Sequence, residues 1–396
     1  MSEATDSKVA VSDPGRLRID ATALDALLAR ARREVDEGLL PSCQVAVARH
    51  GELVAFETFG AAGADSRYVI FSCTKALIAG AVWLQLGAGA LTLDQPVADL
   101  IPGFGDNGKG AVTVEQLLVH QSGFPSAPLD LATTMSREER IERYRSWRLN
   151  WEPGTRFEYH PTSAHWILAE LIEVTSGIDY RTFLHTRVLD PLGLDRIRLG
   201  EPADRQGDIV DLEVRGEPPT ADELQAVLGV VGLTIDEQDE LVGEVTTEAL
   251  MSFNRPEIRA FGVPGAGGIA SAADLALYYQ ALLSNPGGLW DDRWLAAGTR
   301  EVHGDLPEPL FGVPSHRTLG ITMAGEGSTA SLRGYGHTAS PRAFGHAGAG
   351  GQIAFADPDT GISFCYLTNG LDANVLRESR RTAGLASRAG VLAAGS

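Results

Sequence analysis

The sequence predicts an α/β fold of the α+β type: an antiparallel sheet flanked by helices, built from N- and C-terminal segments and interrupted by an inserted, mostly helical domain. Segments of strand character stand near both ends of the 396-residue chain, and helical patterns and loops fill the stretch between them. The length allows two domains. We expect a disordered leader at 1–16, a sheet domain at 17–88 and 256–396, and a helical domain at 89–255 with a loop excursion at 199–220.

The N-terminal segment predicts a helix followed by a β-hairpin. Leucines at helical spacing indicate an amphipathic helix over 21–37. Two strands, 43–49 and 53–59, flank the His50-Gly51 pair, which is a tight-turn signal. The two strands should therefore pair with each other.

The middle and the end of the chain supply the remaining elements. Strand character returns after residue 256, and the stretch 357–361, Asp-Pro-Asp-Thr-Gly, is a strong turn between the last two strands. The predicted helices are 114–120, 137–147, 164–173, 221–231, 272–283 and 373–394, and the predicted strands are 265–271, 319–324, 351–356 and 362–368.

An excess of acidic residues limits the classes of partner that the protein can bind. The net charge of −19 would be repelled by nucleic acid and by an anionic membrane. The three cysteines, Cys43, Cys73 and Cys365, show no metal-like spacing and indicate reduced, buried thiols. No apolar run approaches the roughly 20 residues of a membrane span, and residues 1–20 lack the pattern of a signal peptide. We therefore expect a cytoplasmic protein without nucleic-acid or membrane partners, and the sequence is compatible with a homo-oligomer.

A serine and a lysine, Ser72 and Lys75, stand three residues apart in an otherwise apolar run. A helix beginning near Ser72 places Lys75 one turn further on the same face, within reach of the serine oxygen. By position alone, Ser72 fits a helix N-cap equally well. The lysine favours a nucleophile beside a base, because the chain uses lysine only at Lys8, Lys75 and Lys109 and arginine elsewhere. A desolvated lysine can lose its proton and accept one from serine, which arginine cannot do.

Three stretches carry a family resemblance when they are taken in chain order. They are Ser-Cys-Thr-Lys at 72–75, Tyr-His-Pro at 159–161 and Gly-His-Ala-Gly-Ala-Gly-Gly at 345–351. This set resembles the serine β-lactamase and penicillin-binding-protein superfamily, in particular its class C β-lactamase-like branch with many carboxylesterases and some acyltransferases. The motifs there are Ser-x-x-Lys, Tyr-x-Asn and Lys/His-x-Gly. Supporting similarities lie at 117–124 and 264–274, and the implied fold is the β-lactamase/transpeptidase-like one.

The resemblance implies a role for each matched residue. Ser72 would be the nucleophile and Lys75 its base or proton relay. Tyr159 would be the second proton carrier, acting as a base or as the acid for the leaving group. A tyrosine with its usual pKa of about 10 is a poor base, so this role would need a cationic neighbour such as Lys75. The backbone N–H groups of Ser72 and Ala349 would form the oxyanion hole.

The third motif would bind substrate through His346, Ala347 and Gly348. His346 stands where a lysine is often found, and at neutral pH it would act mostly as a hydrogen-bond partner instead of a fixed cation. Taken alone, Tyr159 would be interpreted as a buried core residue and His346 as a structural one. Their occurrence together with the Ser72 motif favours the functional interpretation.

One position departs from the family pattern. Pro161 stands where the family usually has asparagine, and its side chain can neither donate nor accept a hydrogen bond. In β-lactamases and peptidases that amide helps to hold an amide substrate, so its loss favours esters. His160 and His165 flank the gap, and a surface or structural placement is favoured over a catalytic role for both.

The sequence thus predicts a serine hydrolase that cleaves small-molecule carboxylic esters through an acyl-enzyme on Ser72. No cofactor or metal is implied, and the absence of Gly-x-Ser-x-Gly around Ser72 separates the chain from the α/β-hydrolases. The alternatives are an acyltransferase using the same acyl-enzyme, an amide hydrolase of the β-lactamase or DD-peptidase type, and a non-catalytic binding module on the same scaffold.

Overall fold

The structure is a computed structural model that describes residues 9–127, 134–230, 245–309, 311–327 and 329–393. The strands are β1 Ser42–Arg49, β2 Glu52–Gly60, β3 Tyr68–Val69, β4 Arg198–Leu199, β5 Glu213–Arg215, β6 Gly268–Ala270, β7 Thr322–Met323, β8 Phe344–Gly348, β9 Gln352–Asp357, β10 Ile362–Thr368 and β11 Gly370–Asp372. The α-helices are α1 Ala21–Asp36, α2 Thr74–Gly87, α3 Val114–Leu118, α4 Arg137–Ser146, α5 Ser163–Ser176, α6 Tyr180–Leu184, α7 Asp190–Leu192, α8 Ala221–Val230, α9 Thr247–Met251, α10 Pro256–Phe261, α11 Ala272–Ser284, α12 Asp292–Thr299, α13 Thr329–Leu332 and α14 Val375–Ala389.

The main sheet joins the two ends of the chain, as the sequence predicts. Its strand order is β2-β1-β10-β9-β8-β7, and all neighbouring strands are antiparallel. The hairpin between β1 and β2 turns at His50 and Gly51, whose φ angles are +54° and +80°. Positive φ at both central residues is what a two-residue type I′ turn requires.

Helices cover both faces of this sheet. Along β10, Phe364 and Tyr366 point into a core shared with α1 and α14, while Cys365 and Leu367 point into a larger core shared with α11. Successive residues of a strand face opposite sides, so a strand buried on both faces is apolar throughout. This explains why β10, with the predicted bounds 362–368, is mostly apolar and buried along its whole length.

The helices α3 to α9 lie within the predicted insertion, 89–255. A small three-stranded sheet, in the order β3-β6-β4, ties this insertion to the chain just before the Ser72 motif. The predicted excursion at 199–220 contains β5, which pairs in parallel with β11 and so docks on the C-terminal segment. The domain boundaries themselves stay a prediction.

Several predicted segments differ in the structure. Residues 1–8 of the leader lie outside the described residues, but residues 9–16 lie against β2, where Ser12 N donates to Leu53 O at 2.8 Å. Disorder of that part is therefore a wrong prediction. The strand expected at 319–324 is confined to the two residues of β7. The helices expected at 221–231 and 373–394 are α8 and α14, and residues 231 and 394 lie outside the described residues.

The helix α2 lies at the centre of the molecule and positions the site. It is buried on nearly all sides, as expected of a helix that is apolar around its circumference. In the part of the chain that the structure describes, no helix has the length and apolar composition needed to cross a bilayer.

Candidate active site

Ser72 lies in a 3-10 turn, Phe71–Cys73, immediately before α2. The N-cap of α2 is Cys73, which makes no side-chain capping hydrogen bond, so Ser72 does not serve as a helix cap. Phe71 has a φ of +43°, a left-handed conformation that costs a non-glycine residue roughly 1–2 kcal/mol. Its buried ring contacts Phe253 edge-on, with ring centroids 5.5 Å apart. Packing therefore holds a strained backbone directly before the serine.

Two strands hold this turn from either side. Ile70 N donates to Gly268 O at 2.9 Å, and Gly268 N donates to the hydroxyl of Thr74 at 2.9 Å. On the other side, the thiol of Cys73 donates to His346 O at 3.1 Å. Thr74 and Cys73, the two middle residues of Ser-Cys-Thr-Lys, thus link the turn by hydrogen bonds to β6 and β8. The sequence did not predict these positioning roles for Cys73 and Thr74. Their place inside the Ser-x-x-Lys motif is the signal that could have indicated them.

The structure brings Ser72, Lys75 and Tyr159 together. Lys75 Nζ lies 3.2 Å from Ser72 Oγ, and Tyr159 Oη donates to Ser72 Oγ at 2.9 Å. Lys75 Nζ also lies 4.9 Å from the centroid of the Tyr159 ring. The serine oxygen therefore contacts both of the groups that the sequence selected as proton carriers.

Lys75 is fully buried and contacts two main-chain carbonyls besides the serine. Its Nζ donates to Pro161 O at 2.7 Å and to Gly265 O at 2.8 Å. Burial, followed by the positive charge of Arg317, lowers the pKa of Lys75 well below its usual value. A neutral amine has two hydrogens and one lone pair, and the two carbonyls account for the hydrogens. The lone pair is left for the hydroxyl of Ser72, which is the geometry of a general base.

Tyr159 is a proton donor in this site. Burial raises the pKa of Tyr159 to about 12, although the hydrogen bond to Ser72 and the charge of Arg317 both act to lower it. The phenol is therefore protonated at neutral pH and donates to the serine oxygen. The sequence suggested Lys75 as the cation beside this tyrosine, but burial disfavours the charged form of Lys75. Arg317 is that cation, with Cζ 5.4 Å from the ring centroid.

His346 lies on β8 with its ring centroid 6.0 Å from that of Tyr159. Its Nδ1 donates to Ala347 O at 2.6 Å, and its Nε2 is buried without a hydrogen-bond partner. Burial and the charge of Arg317 lower the pKa of His346 well below its usual value. This residue is therefore neutral, in agreement with the expected hydrogen-bonding role in place of a fixed cation.

The candidate oxyanion hole lies where β8 ends against the Ser72 turn. Ser72 and Ala349 line one pocket, and the oxyanion role of their backbone N–H groups stays a prediction. Gly348 permits this approach, because a Cβ atom there would lie 2.6 Å from Ile70 O. The glycine of the third motif is thus required by the closeness of two backbones.

Comparison with known proteins decides the family. A family model described as Beta-lactamase matches residues 27–388. The chain belongs to the Beta-lactamase family. Its family and its fold class, both predicted from sequence, are thereby confirmed.

Two curated relatives carry esterase names. "Esterase/beta-lactamase LipL" of Mycobacterium tuberculosis is 27% identical over 319 residues, which cover 78% of this chain and 70% of the relative. "Esterase EstB" of Burkholderia gladioli is 28% identical over 213 residues, which cover 46% of this chain and 53% of that protein.

Two solved structures share the fold. A family VIII carboxylesterase superposes with a TM-score of 0.73 at 24% sequence identity, and the match covers 94% of this chain and 98% of the carboxylesterase chain. A penicillin-binding-protein homologue from Caulobacter crescentus has a TM-score of 0.73 at 24% identity, with coverage of 93% and 98%.

In this member of the Beta-lactamase family, Pro161 departs from the family pattern but contributes to the site through its main-chain carbonyl. The proline ring offers no hydrogen bond, but the Pro161 carbonyl is one of the two acceptors that hold Lys75. Gly265 supplies the other acceptor and packs closely here, since a Cβ atom on it would lie 3.1 Å from Pro161 O. No sequence signal could identify these acceptors, because every residue carries a carbonyl.

The histidines beside Pro161 are buried structural residues, so neither lies at the surface. His160 Nε2 lies 3.0 Å from the hydroxyl of Ser122 and accepts from Phe124 N, while its Nδ1 donates to Glu158 O. Burial lowers the pKa of His160 to about 3. His165 is fully buried, and neither of its ring nitrogens has a hydrogen-bond partner.

Two pockets flank the serine. The first, called the acyl pocket here, has a volume of about 40 Å³ and is lined by Ser72, Ala349 and mostly apolar side chains that include Pro161 and Phe253. The second, called the arginine pocket here, has a volume of about 250 Å³. Its lining includes Phe157, Tyr159, Glu308, Arg317, Arg333 and His346.

Proposed function

We propose that this chain is a serine carboxylesterase that cleaves small-molecule esters through an acyl-enzyme on Ser72. The observation that carries the proposal is the contact of Ser72 Oγ with both a buried lysine of lowered pKa, Lys75, and a protonated phenol, Tyr159. The esterase names of the relatives from M. tuberculosis and B. gladioli support it.

Acylation begins with proton transfer from Ser72 to Lys75. The serine oxygen attacks the ester carbonyl as its proton moves to the lone pair of Nζ. Negative charge develops on the carbonyl oxygen, and the N–H groups of Ser72 and Ala349 stabilise it. Because the site is buried, these donors act in a low dielectric and are fixed before the reaction begins.

Collapse of the tetrahedral intermediate requires a proton on the leaving oxygen. Tyr159 donates its phenolic proton there as the bond between carbonyl carbon and leaving oxygen breaks. Lys75, now protonated, passes its proton to the neighbouring phenolate of Tyr159, so both groups regain their starting states. Water then attacks the acyl-enzyme by the same steps in reverse order and releases the acid.

The acyl pocket indicates an apolar acyl group. Pro161 and Phe253 supply apolar walls with no amide to hold a peptide-like side chain. Simple acyl esters therefore fit better than acylamino compounds.

Covalent labelling tests the nucleophile. Wild type treated with a fluorophosphonate should gain one adduct by intact mass, and the Ser72→Ala variant should gain none. Wild type should hydrolyse a panel of p-nitrophenyl esters from acetate to octanoate, Ser72→Ala should hydrolyse none of them, and the ester with the highest kcat/KM defines the preferred acyl length. An unlabelled wild type, or equal labelling of Ser72→Ala, would defeat the assignment.

β-Lactam hydrolysis is a second candidate, because the name of the M. tuberculosis relative joins esterase and β-lactamase. The apolar acyl pocket with Pro161 in its wall disfavours an acylamino side chain. Hydrolysis of a chromogenic cephalosporin at a kcat/KM equal to that for p-nitrophenyl acetate would reverse this ranking. Adding alcohols to the ester assay tests acyl transfer, which would appear as a new ester product.

The proposal includes a cytoplasmic location without nucleic-acid or membrane partners. Its support is chemical: Cys43, Cys73 and Cys365 are free, buried thiols, and a reducing compartment keeps thiols in this form. The net charge of −19 also disfavours polyanionic surfaces. Fractionation of the native host should place the esterase in the cytosolic fraction, and its recovery from the medium would contradict the location.

A further inference from the structure

His120 is a buried histidine that has no part in the proton transfers proposed above. It follows α3 and has a φ of +57°, a left-handed conformation that few residues other than glycine adopt. Its side chain is fully buried. An uncommon backbone conformation and a buried polar side chain both cost free energy, so they persist only where the surrounding contacts hold them.

The hydrogen bonds of His120 go to the two residues that flank Tyr159 in the chain. Glu158 N donates to His120 O at 3.3 Å, and His160 N donates to His120 Nδ1 at 3.1 Å. The main chain is therefore held by the same histidine immediately before and immediately after the tyrosine.

The imidazole of His120 also packs against the phenol ring itself. The two ring centroids lie 4.9 Å apart, and the ring planes are inclined by 37°. On another side, the His120 ring meets Phe157 edge-on, with centroids 6.3 Å apart. His120 thus contacts both the backbone on each side of Tyr159 and the ring that carries its hydroxyl.

The contact with His160 N requires the neutral form of His120. Burial, followed by the positive charge of Arg317, lowers the pKa of His120 well below its usual value. A neutral imidazole has one nitrogen with a proton and one with a lone pair, whereas a charged imidazole has no acceptor. Because Nδ1 accepts the N–H of His160, the proton of the ring lies on Nε2.

His160 returns the contact to the segment that carries His120. Its Nε2 accepts from Phe124 N at 3.2 Å and lies 3.0 Å from the hydroxyl of Ser122. The two segments are therefore bound to each other in both directions. Loss of the His120 acceptor alone should displace Tyr159 without detaching its segment.

We propose that His120 is a positioning residue for Tyr159, which holds the phenol where its proton reaches the leaving oxygen of the ester. This inference rests on the proposed esterase function. Tyr159 Oη lies 2.9 Å from Ser72 Oγ, and a general acid works only within hydrogen-bond reach of its target. A displacement of about 1 Å can cost roughly 10²-fold in rate.

Two substitutions separate the acceptor of His120 from its ring. His120→Phe keeps a ring and removes the acceptor. His120→Asn places an amide oxygen near the position of Nδ1, and asparagine tolerates a left-handed backbone. His120→Gln places its oxygen near the position of Nε2 instead and serves as a second variant without the Nδ1 acceptor, should His120→Phe not fold.

The test is the ratio of kcat/KM for ethyl acetate to kcat/KM for p-nitrophenyl acetate. Ethoxide needs the proton of Tyr159 and p-nitrophenolate does not, so a displaced phenol lowers the ratio. We expect His120→Phe and His120→Gln to lower it roughly 10- to 100-fold and His120→Asn to stay within about threefold of wild type. An unchanged ratio in a folded His120→Phe or His120→Gln enzyme would overturn the proposal.

A second substitution at Tyr159 distinguishes positioning from general stability. In the Tyr159→Phe background, His120→Phe should lower the ratio no further, because the group that it positions is gone. An equal fall of the ratio with and without the Tyr159 hydroxyl would refute the positioning role. His185 is the matched control, since its Nδ1 accepts from Arg198 Nη1 at 2.8 Å, and His185→Phe should keep the wild-type ratio.

Hydrogen exchange separates this inference from the proposed function. In the peptide that contains His160, exchange followed by mass spectrometry should show one amide at least about tenfold faster in His120→Phe than in wild type, and near the wild-type rate in His120→Asn. If wild type hydrolyses neither ester, the esterase proposal fails, while this measurement still decides whether His120 holds the Tyr159 segment. Equal exchange in wild type and His120→Phe would refute that hold.

Discussion

Replacing Lys75 by methionine removes the base and keeps the volume of the side chain. In Lys75→Met no lone pair faces Ser72 Oγ, which lies 3.2 Å from Nζ in the native site. Proton transfer from the serine would then have to go to water, which the buried position of Lys75 excludes. We expect acylation to become the limiting step.

The expected losses of activity and of stability in Lys75→Met follow from the contacts that Nζ makes. A positioned general base is worth roughly 10²- to 10⁴-fold in rate, which equals about 3–5 kcal/mol of activation free energy. Pro161 O and Gly265 O also lose their donor, and each buried acceptor left unpaired costs about 1–3 kcal/mol of stability. The variant should therefore show a lower Tm as well as a kcat/KM for p-nitrophenyl acetate reduced 10²- to 10⁴-fold.

The chain offers a matched control at Lys109. This lysine is also fully buried, and its Nζ donates to Trp147 O at 2.6 Å and to Asp106 O at 2.5 Å, outside the site. Lys109→Met should lower the Tm by a similar amount and keep kcat/KM near the wild-type value. A Lys75→Met enzyme within threefold of wild type, or an equal loss of activity in Lys109→Met, would refute the assignment of Lys75 as base.

Three further predictions concern the same site. Tyr159→Phe should lower kcat/KM for ethyl acetate 10²- to 10⁴-fold but that for p-nitrophenyl acetate much less, because p-nitrophenolate leaves without a proton. Since neutral Lys75 is the active form, kcat/KM should fall as the pH drops through its depressed pKa. Arg317→Gln removes a nearby cation, raises that pKa and should move this acid limb to higher pH. Gly348→Ala should cost at least about 10²-fold by displacing an oxyanion N–H, whereas Gly63→Ala, which meets open space, should not.

Local patterns predicted the parts of the fold that depend on local physics. The hairpin at His50-Gly51 follows from turn chemistry, and the strand β10 follows from a mostly apolar run. The positions of both agree with those predicted from the sequence. The small sheet β3-β6-β4 could not be found, because its strands have two or three residues and no periodic pattern. Its existence depends on segments far apart in sequence that only tertiary packing brings together.

The residues of the site likewise divide into those that the sequence reveals and those that only the structure reveals. Ser72, Lys75 and Tyr159 are recognisable because their chemistry is unusual in their sequence context. The acceptors that hold Lys75 are backbone carbonyls, which leave no trace in the sequence. Arg317 lies far along the chain from Tyr159, and one arginine among many carries no signal until its burial is known.

The position of the cation explains how this site works with a histidine in its third motif. A lysine at position 346 would place a titratable charge beside Tyr159, whereas His346 is neutral and cannot supply that charge. Arg317 supplies it from the face of the Tyr159 ring, 5.4 Å from Cζ to the centroid, and its guanidinium stays protonated around neutral pH although burial lowers its pKa. The field on Tyr159 and Lys75 is therefore constant across that range. It follows that the acid limb of activity reports the titration of Lys75 alone.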